Sequence, residues 1–582
     1  MRVVYARDDV AATAIGLGCM RLSTHSNRDE ANGIAVIHAA LDAGVRFLDT
    51  ADVYCLDEGD TGHNERLIAK ALRVWDGDAG NVEVATKGGM RRPEGAWIPD
   101  GRAVQLKAAC EASRIALGVD VIDLYQLHVV DPRVPIQTSV RALAALQKDG
   151  RIRRVGLSNV NVTQIEIARD IVGIDSVQVP LSVVENEVLR NGVAEYCAEH
   201  GIRLIAYRPL GGAKRVKSLT RDETLARIAN THDATPQEVA LAWLCDLGTD
   251  IVPIPGPTQP AHAAALPHAS RIRFDAGERA ELDERFRGRV LRVPRAKRRP
   301  PDDADGDVVM VMGMPGAGKS TVAEEFVAQG HARLNRDVHG GRLSDLVTEL
   351  DAGLERGQRS WVLDNTYASR ADRSDVIECA WRHGVPVRLV WLDTEVGDAQ
   401  INAITRLITA HGALPMPEDL KARGRTDHRY FGPDAQFRYQ REMEPPSEDE
   451  GFRVIEQRAF QRMVPHTGDK RAVFFDPNEV TPANIAALRN HRDAGWLLCG
   501  IAWRPSGEKR VLENLDYEYR ECTHPAGPPI CWCRKPLPGL LLEAALKHRI
   551  DLGNSVIVGD SAADKTMAGR LGMRVIQLAD FT

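Results

Sequence analysis

No apolar run in this chain approaches the roughly 18 residues that a membrane-crossing helix needs. The opening MRVVYARDDV has no apolar core of the kind a secretory signal carries. Cysteine is sparse, with 10 in 582 residues, too few for a disulfide framework; seven are scattered, while Cys522, Cys531 and Cys533 cluster. Charge of one sign is also missing: the net value is −6 and the pI about 6.3, so no global basic field points to nucleic acid. These absences exclude a membrane protein and a disulfide-stapled secreted scaffold, and they predict a cytoplasmic, soluble chain of three or four domains.

What is present begins near the middle. The small apolar run DVVMVM leads into Gly313-Met314-Pro315-Gly316-Ala317-Gly318-Lys319-Ser320-Thr321, and TVAEEFVAQG follows. Strand, glycine-rich turn and helix in this order make a phosphate loop. Gly313, Gly316 and Gly318 let backbone N–H groups turn inward at a helix N-terminus, where the dipole favours anions. Lys319 can reach the β- and γ-phosphates of ATP, the Ser320 hydroxyl can ligate Mg²⁺, and Thr321 completes the set of nucleotide-binding residues. Two further strands are expected after it, one ending in Asn335-Arg336-Asp337 and one in Asp364-Asn365-Thr366. A carboxylate at such a strand end can take the proton from an attacking hydroxyl or hold Mg²⁺. Asp337 is the candidate base, a helix N-cap being its structural alternative.

The first 286 residues alternate strand and helix. TAIGLG, VRFLDT, VEVATK, IDLYQL, RRVGLS, SVQVPL, RLIAYRP and DIVPIPG give eight strands, the arithmetic of a (β/α)₈ barrel. Polar residues fall at strand ends: Asp49, Lys87, His128, Ser158, Asn159, Gln178 and Tyr207, with Tyr54 in the loop beyond Asp49. Tyr54 can protonate an alkoxide formed by hydride addition to a carbonyl. A lysine paired with Asp49 is expected to lower its pKa, and His128 to orient the carbonyl oxygen.

The segments GVRFLDTADVY, ATKGG, LYQLH, GLSNV, YRPLGG and IPG resemble the aldo/keto reductases along this whole region. That resemblance implies Asp49, Tyr54, Lys87 and His128 as the catalytic tetrad. It places Ser158, Asn159 and Gln178 at the nicotinamide amide, Tyr207 on the ring, and Gly256 among the cofactor contacts. The cofactor implied is NADPH. NADH is the alternative, because Pro257-Thr258-Gln259 offers no charge where the family usually meets the 2′-phosphate.

Residues 287–306 (RGRVLRVPRAKRRPPDDADG) read as a linker, a solvated tether or a small polyanion-contacting patch formed by Arg292, Arg295, Lys297, Arg298 and Arg299. Beyond it, LNRDVHGG and VLDNTYASRADRSDVIECAWRHGVPVRLVWL resemble the 5′-hydroxyl polynucleotide kinases of nucleic-acid end repair. The resemblance implies Asp337 as base, Asp364, Asn365, Thr366, Arg370 and Arg373 beside the acceptor, and RNA or DNA ends as partners. Arg406 is assigned as the lid arginine, with Arg423 and Arg425 as rivals. Gly340 stands where the phage-type enzyme has an arginine.

The remainder, 466–582, contains RAVFFDPNEVT with Asp476, Cys-Arg-Lys-Pro with Lys535, and Gly-Asp-x-x-x-Asp with Asp560 and Asp564. It resembles the haloacid-dehalogenase phosphatases, nearest their zinc-bearing branch. Cys522, His524, Cys531 and Cys533 have the spacing of a structural Zn²⁺ site. Asn478 stands where a second aspartate should cycle a proton, so the domain is expected to be a degenerate phosphatase. The expected whole is α/β multidomain: barrel (1–286), linker (287–306), P-loop kinase-like domain (307–465) and phosphatase-like Rossmannoid domain with a zinc loop (466–582). Its expected function is ATP-dependent phosphorylation of 5′-OH ends plus NADPH-dependent reduction of a small or nucleic-acid-borne carbonyl. A metabolic reductase fused to a sugar or alcohol kinase is the alternative.

Overall fold

A computed structural model describes residues 15–582 apart from 213, 249, 294, 425, 426, 428, 459–467, 504–511 and 526–530. Outside the described residues lie the N-terminal ten, the first two residues of TAIGLG, the rival Arg425 and the expected boundary at 465–466. The chain forms two compact units, 1–297 and 298–582.

The first unit is built on eight parallel strands in sequential order: β1 (Leu17–Gly18), β2 (Phe47–Asp49), β3 (Glu83–Gly88), β4 (Ile122–Leu127), β5 (Ile152–Ser158), β6 (Ser176–Pro180), β7 (Arg203–Tyr207) and β8 (Ile251–Ile254). Backbone hydrogen bonds from Gly16 N to Pro253 O and from Gly18 N to Pro255 O, each 2.9 Å, join first strand to last. The expected barrel is therefore present. Its core is aliphatic, with Trp243 wholly buried and donating through Nε1 to Asp283. Close packing fixes several glycines: a Cβ on Gly88 would lie 2.0 Å from the Tyr125 hydroxyl.

The boundary between the two units falls within the expected linker 287–306. Arg289–Arg292 and Arg295–Arg298 form helical turns. Arg292 pairs with Asp246 and Asp283, Arg295 with Glu195, Arg298 with Glu378 and Arg299 with Asp302. Carboxylates thus pair with the four arginines of the expected patch, while Lys297 is exposed.

The second unit holds two five-stranded parallel sheets. In the first, β9 (Asp307–Gly313), β10 (Ala332–Leu334), β11 (Ser360–Asn365), β12 (Val387–Leu392) and β13 (Val454–Arg458) lie in the order β10-β11-β9-β12-β13. The phosphate loop leaves the central strand β9 at the point where connections run in opposite directions, the place where open parallel sheets bind ligands. The second sheet has β14 (Ala472–Phe475), β15 (Leu497–Trp503), β16 (Glu518–Cys522), β17 (Val556–Val558) and β18 (Arg574–Ile576) in the order β16-β15-β14-β17-β18.

Arg373, expected beside the acceptor, is a second correction. It is wholly buried; Nε and Nη2 donate to the two Glu450 oxygens at 2.7 and 2.6 Å, and Nη1 donates to the Tyr367 and Ala368 carbonyls. Its position on the helix Arg370–Arg382 turns it inward, so it is a structural ion pair. Arg370 is also mostly buried and pairs with Asp449. Arg373→Ala strands the Glu450 charge in the core, an expected loss of about 3–5 kcal/mol. In thermal unfolding the transition of the second unit should fall, and the apolar pair Arg373→Met with Glu450→Leu should recover most of it.

Candidate active sites

In the barrel, β2, β3 and β4 deliver Asp49, Lys87 and the residue before His128 to one end, and the loop after β2 returns Tyr54 over them. Lys87 Nζ donates to both Asp49 carboxylate oxygens at 2.8 Å, to Thr50 O at 2.7 Å and to the Tyr54 hydroxyl at 3.2 Å. Lys87 is 1% and Asp49 2% exposed, so the lysine has no room for water as a competing partner. Burial pushes the Asp49 carboxyl up and the Lys87 ammonium down, while their attraction opposes both shifts.

The expected lowering of the Tyr54 pKa is not found. Burial first, and the Asp49 carboxylate second, push the phenol well above its usual value. Lys87 spends its charge on Asp49 at the shorter distances. The consequence is a phenol that stays protonated, a donor in waiting. Burial, with Lys87 adding, pushes His128 well below its usual value, which keeps the imidazole neutral. The rings of Tyr54 and His128 meet edge to face at 5.7 Å, and Trp97 contacts both at 6.4 and 6.3 Å. Sequence reasoning passed over Trp97; its only signal was a large aromatic in the polar loop between β3 and β4. Arg92 stacks on it at 3.9 Å.

The expected cofactor side chains line up along the same end. Tyr207 Oη donates to Asn159 Oδ1 at 2.9 Å, and Asn159 Nδ2 donates to Ser158 Oγ and to His128 O at 3.1 Å. Asn159 takes a left-handed conformation (φ 56°) to do this. Gln178 accepts from Gln126 Nε2 at 2.9 Å and bonds Asp49. Gly256 follows β8, and its carbonyl accepts from Arg21.

In the second unit, Gly313, Gly316 and Gly318 all have positive φ (158°, 92° and 88°), the conformations that turn the loop N–H groups inward. Lys319 Nζ donates to the Gly313 and Met314 carbonyls at 3.0 Å, folding over its own loop. Removal from water pushes its pKa down to about 8; Asp364 and Asp337 oppose the shift, Arg406 and Arg336 add to it. Ser320 Oγ donates to Asp364 Oδ2 at 3.2 Å, the pairing that a Mg²⁺ ion between hydroxyl and carboxylate requires. Thr321 lies in the first turn of the helix Lys319–Val327.

Asp337 sits in the one-turn helix Arg336–His339, whose N-cap is Asn335. Asn335 Nδ2 donates to the Asp364 carbonyl at 2.8 Å, and Arg336 N donates to Asn365 Oδ1 at 3.1 Å. The Asn-Arg-Asp and Asp-Asn-Thr segments are thus tied side by side at adjacent strand ends, with Thr366 next in chain. Asp364 is also clamped by Arg333, through Nε at 3.0 Å and Nη2 at 2.8 Å. Arg333, on β10, was missed because a lone arginine inside a short strand carries no motif. Arg406 stands near enough to Asp337 and Lys319 to act on both electrostatically.

In the third sheet, Lys535 Nζ lies 3.0 Å from Asp564 and 3.7 Å from Asp476. Asn478 Nδ2 donates back to Asp476 Oδ1 at 3.0 Å, and Asp560 accepts from Leu578 N. The side chain at the position of the expected second aspartate is therefore an amide that donates to the first one. The ligand atoms of Cys522, His524, Cys531 and Cys533 all lie within 4.8 Å of one another. Cys522 Sγ is 3.7 Å from Cys531 Sγ and 3.4 Å from His524 Nδ1, which is 3.2 Å from Cys533 Sγ. Those spacings and three thiols with an imidazole fit tetrahedral Zn²⁺.

The aldo/keto reductase family profile matches residues 14–285, an AAA-domain profile matches 308–403 and a HAD-hydrolase-like profile matches 532–580. Among solved structures, the chain is similar to a glycerol dehydrogenase from Gluconobacter oxydans (24% identity, 49% of this chain, 95% of that one, TM-score 0.42). It is similar also to an aldo/keto reductase from Klebsiella pneumoniae in complex with NADP and acetate (24%, 47% and 92%, TM-score 0.41). A third is an aldo-keto reductase from a deep-sea metagenome of the Medee basin (26%, 47% and 92%, TM-score 0.40). With barrel, phosphate loop and third sheet in place, the chain carries an aldo/keto reductase domain, then a P-loop kinase-like AAA domain, then a haloacid-dehalogenase-like domain.

Proposed function

We propose that this protein reduces a carbonyl with NADPH in its barrel and transfers the γ-phosphate of ATP to a 5′-hydroxyl of RNA or DNA in its second unit. The observation that carries the reductase half is the buried Lys87 ammonium, which bonds Asp49 and Tyr54 together. A nicotinamide held in the barrel would supply hydride chemistry at the carbonyl carbon. Tyr54 then gives its proton to the developing alkoxide, and neutral His128 orients the carbonyl oxygen. Ser158, Asn159, Gln178 and Tyr207 are the groups offered to the nicotinamide. Tyr54→Phe should lower carbonyl reduction by roughly 10²- to 10⁴-fold, read as NADPH consumption with a panel of aldehydes. NADPH binding should survive. Because Tyr54 is pushed upward, reduction in the wild type should persist into the alkaline range rather than fall near neutrality.

The kinase half is supported by the tie between Asn335-Arg336-Asp337 and Asp364-Asn365, with Asp337 and Asp364 close enough to act on Lys319. Asp337 would take the proton of the attacking hydroxyl, Ser320 and Asp364 would hold Mg²⁺, and Lys319 and Arg406 would meet the phosphates. Labelled γ-phosphate should pass from ATP to a 5′-OH oligonucleotide, and Asp337→Ala should abolish transfer while ATP still binds. Phosphorylation of polyols but not oligonucleotides would replace this reading by a metabolic one. Lys319 must be protonated to hold phosphate, so ATP affinity should weaken as pH rises through about 8. Gly316→Ala should eliminate ATP binding, since its φ is +92° and a Cβ would lie 2.3 Å from the Ala399 carbonyl.

A further inference from the structure

The helix Val396–His411 carries Arg406, and it has two buried faces. Toward the phosphate loop, Ala399 packs with Met314 and Ala317, and Asn402 Nδ2 donates to the Gly316 carbonyl at 3.0 Å. On the other side, Ile401, Ile404, Leu407 and Ile408 belong to the same apolar core as Phe474, Ile501, Trp532 and Leu541 of the haloacid-dehalogenase-like domain. That domain is thus the back wall of the helix that presents Arg406.

A second connection reaches the same arginine. Arg406 Nη2 donates to the Arg429 carbonyl at 3.2 Å, and its guanidinium stands 5.7 Å from the Phe431 ring. Phe431 is held from behind by Trp532, which is wholly buried: Nε1 donates to the Phe431 carbonyl at 2.9 Å and the rings meet edge to face at 5.9 Å. Trp532 lies between Cys531 and Cys533, two members of the thiol–imidazole cluster. Its own carbonyl is pressed against Gly539, where a Cβ would come within 2.3 Å. Leu414, just past the helix, donates its N–H to Glu543 at 2.7 Å, and Arg570 donates to Gln400 at 2.7 Å.

We infer that the C-terminal domain acts as a brace for phosphoryl transfer: Trp532, fixed between two cysteines of the cluster, holds Phe431 and through it the position of Arg406 over the phosphate loop. This rests on the kinase reading above. It gives a use to a domain that has Asn478 where a second aspartate was expected, since the brace needs the core and the cluster but no phosphatase chemistry. Trp532 is a positioning residue, acting only through Phe431. Zn²⁺ at Cys522, His524, Cys531 and Cys533 would stiffen the loop that carries it.

The test uses the full chain with Trp532→Ala, Trp532→Phe and Cys531→Ser, read by phosphoryl-transfer kinetics, hydrogen exchange and metal content. Trp532→Ala should lower kcat roughly tenfold to a hundredfold with the KM for ATP nearly unchanged, as expected when a catalytic group is displaced by a fraction of a bond length rather than removed. Peptides spanning Arg429–Phe431 should exchange faster. Trp532→Phe keeps the ring without the N–H and should fall between wild type and alanine, which decides the matter if the alanine variant does not fold. Cys531→Ser should lose bound zinc and show the same faster exchange. Wild-type kcat and wild-type protection of Arg429–Phe431 in folded Trp532→Ala would overturn the brace. If the wild type phosphorylates no oligonucleotide, the kinase reading falls, and the exchange arm still decides whether Trp532 holds Phe431.

Discussion

Parallel strand pairing is the constraint on which every candidate site in this chain depends. In the barrel and in both five-stranded sheets each strand pairs in parallel with its neighbours, so the C-terminal ends of all strands in a sheet emerge on one side. A polar residue that ends a strand is thereby brought beside the polar ends of its neighbours, however far apart in sequence. Lys87 meets Asp49 in this way, and Asn335 meets Asp364. The chemistry is assembled by the sheet edge.

Burial then decides the charge states. Lys87 and Asp49 are each driven toward neutrality by desolvation and held charged by one another, while burial pushes the Tyr54 phenol up, despite its hydrogen bond from Lys87, and the His128 imidazole down, so that both stay neutral. A neutral phenol and a neutral imidazole in edge-to-face contact suit protonation of an incoming oxygen. The phosphate loop meets the opposite need. Inward-turning glycines aim N–H groups at an anion, and among the described residues Lys319 bonds carbonyls of its own loop, ready to exchange them for phosphate.

The sequence disclosed the strands of the barrel and the phosphate loop because each combines a short periodic run with residues that only a strand end or turn would need. Asp49, Lys87 and His128 could be collected from strand-end positions, and Tyr54 from the loop beyond the first of them. Arg373 misled because a helix that begins beside the acceptor also has an inward face, and spacing from Arg370 does not say that Glu450 waits 77 residues away. The ion pairs of Arg292, Arg295 and Arg298 were hidden for the same reason: their partners Asp246, Glu195 and Glu378 lie far along the chain. Trp532 was hidden between two cysteines whose own pattern drew the eye, and only the fold shows what its indole touches. Local signals mark which residues do chemistry; long-range pairing decides which of them are free to do it.

The central claim is that the phosphoryl acceptor is a nucleic-acid end. The most direct measurement compares kcat/KM for phosphate transfer from ATP to 5′-OH RNA and DNA oligonucleotides with that to simple sugars and polyols, all in one protein preparation. The account predicts efficient transfer to one or both oligonucleotides and negligible transfer to the small acceptors. Efficient phosphorylation of a polyol with none at an oligonucleotide end would contradict it.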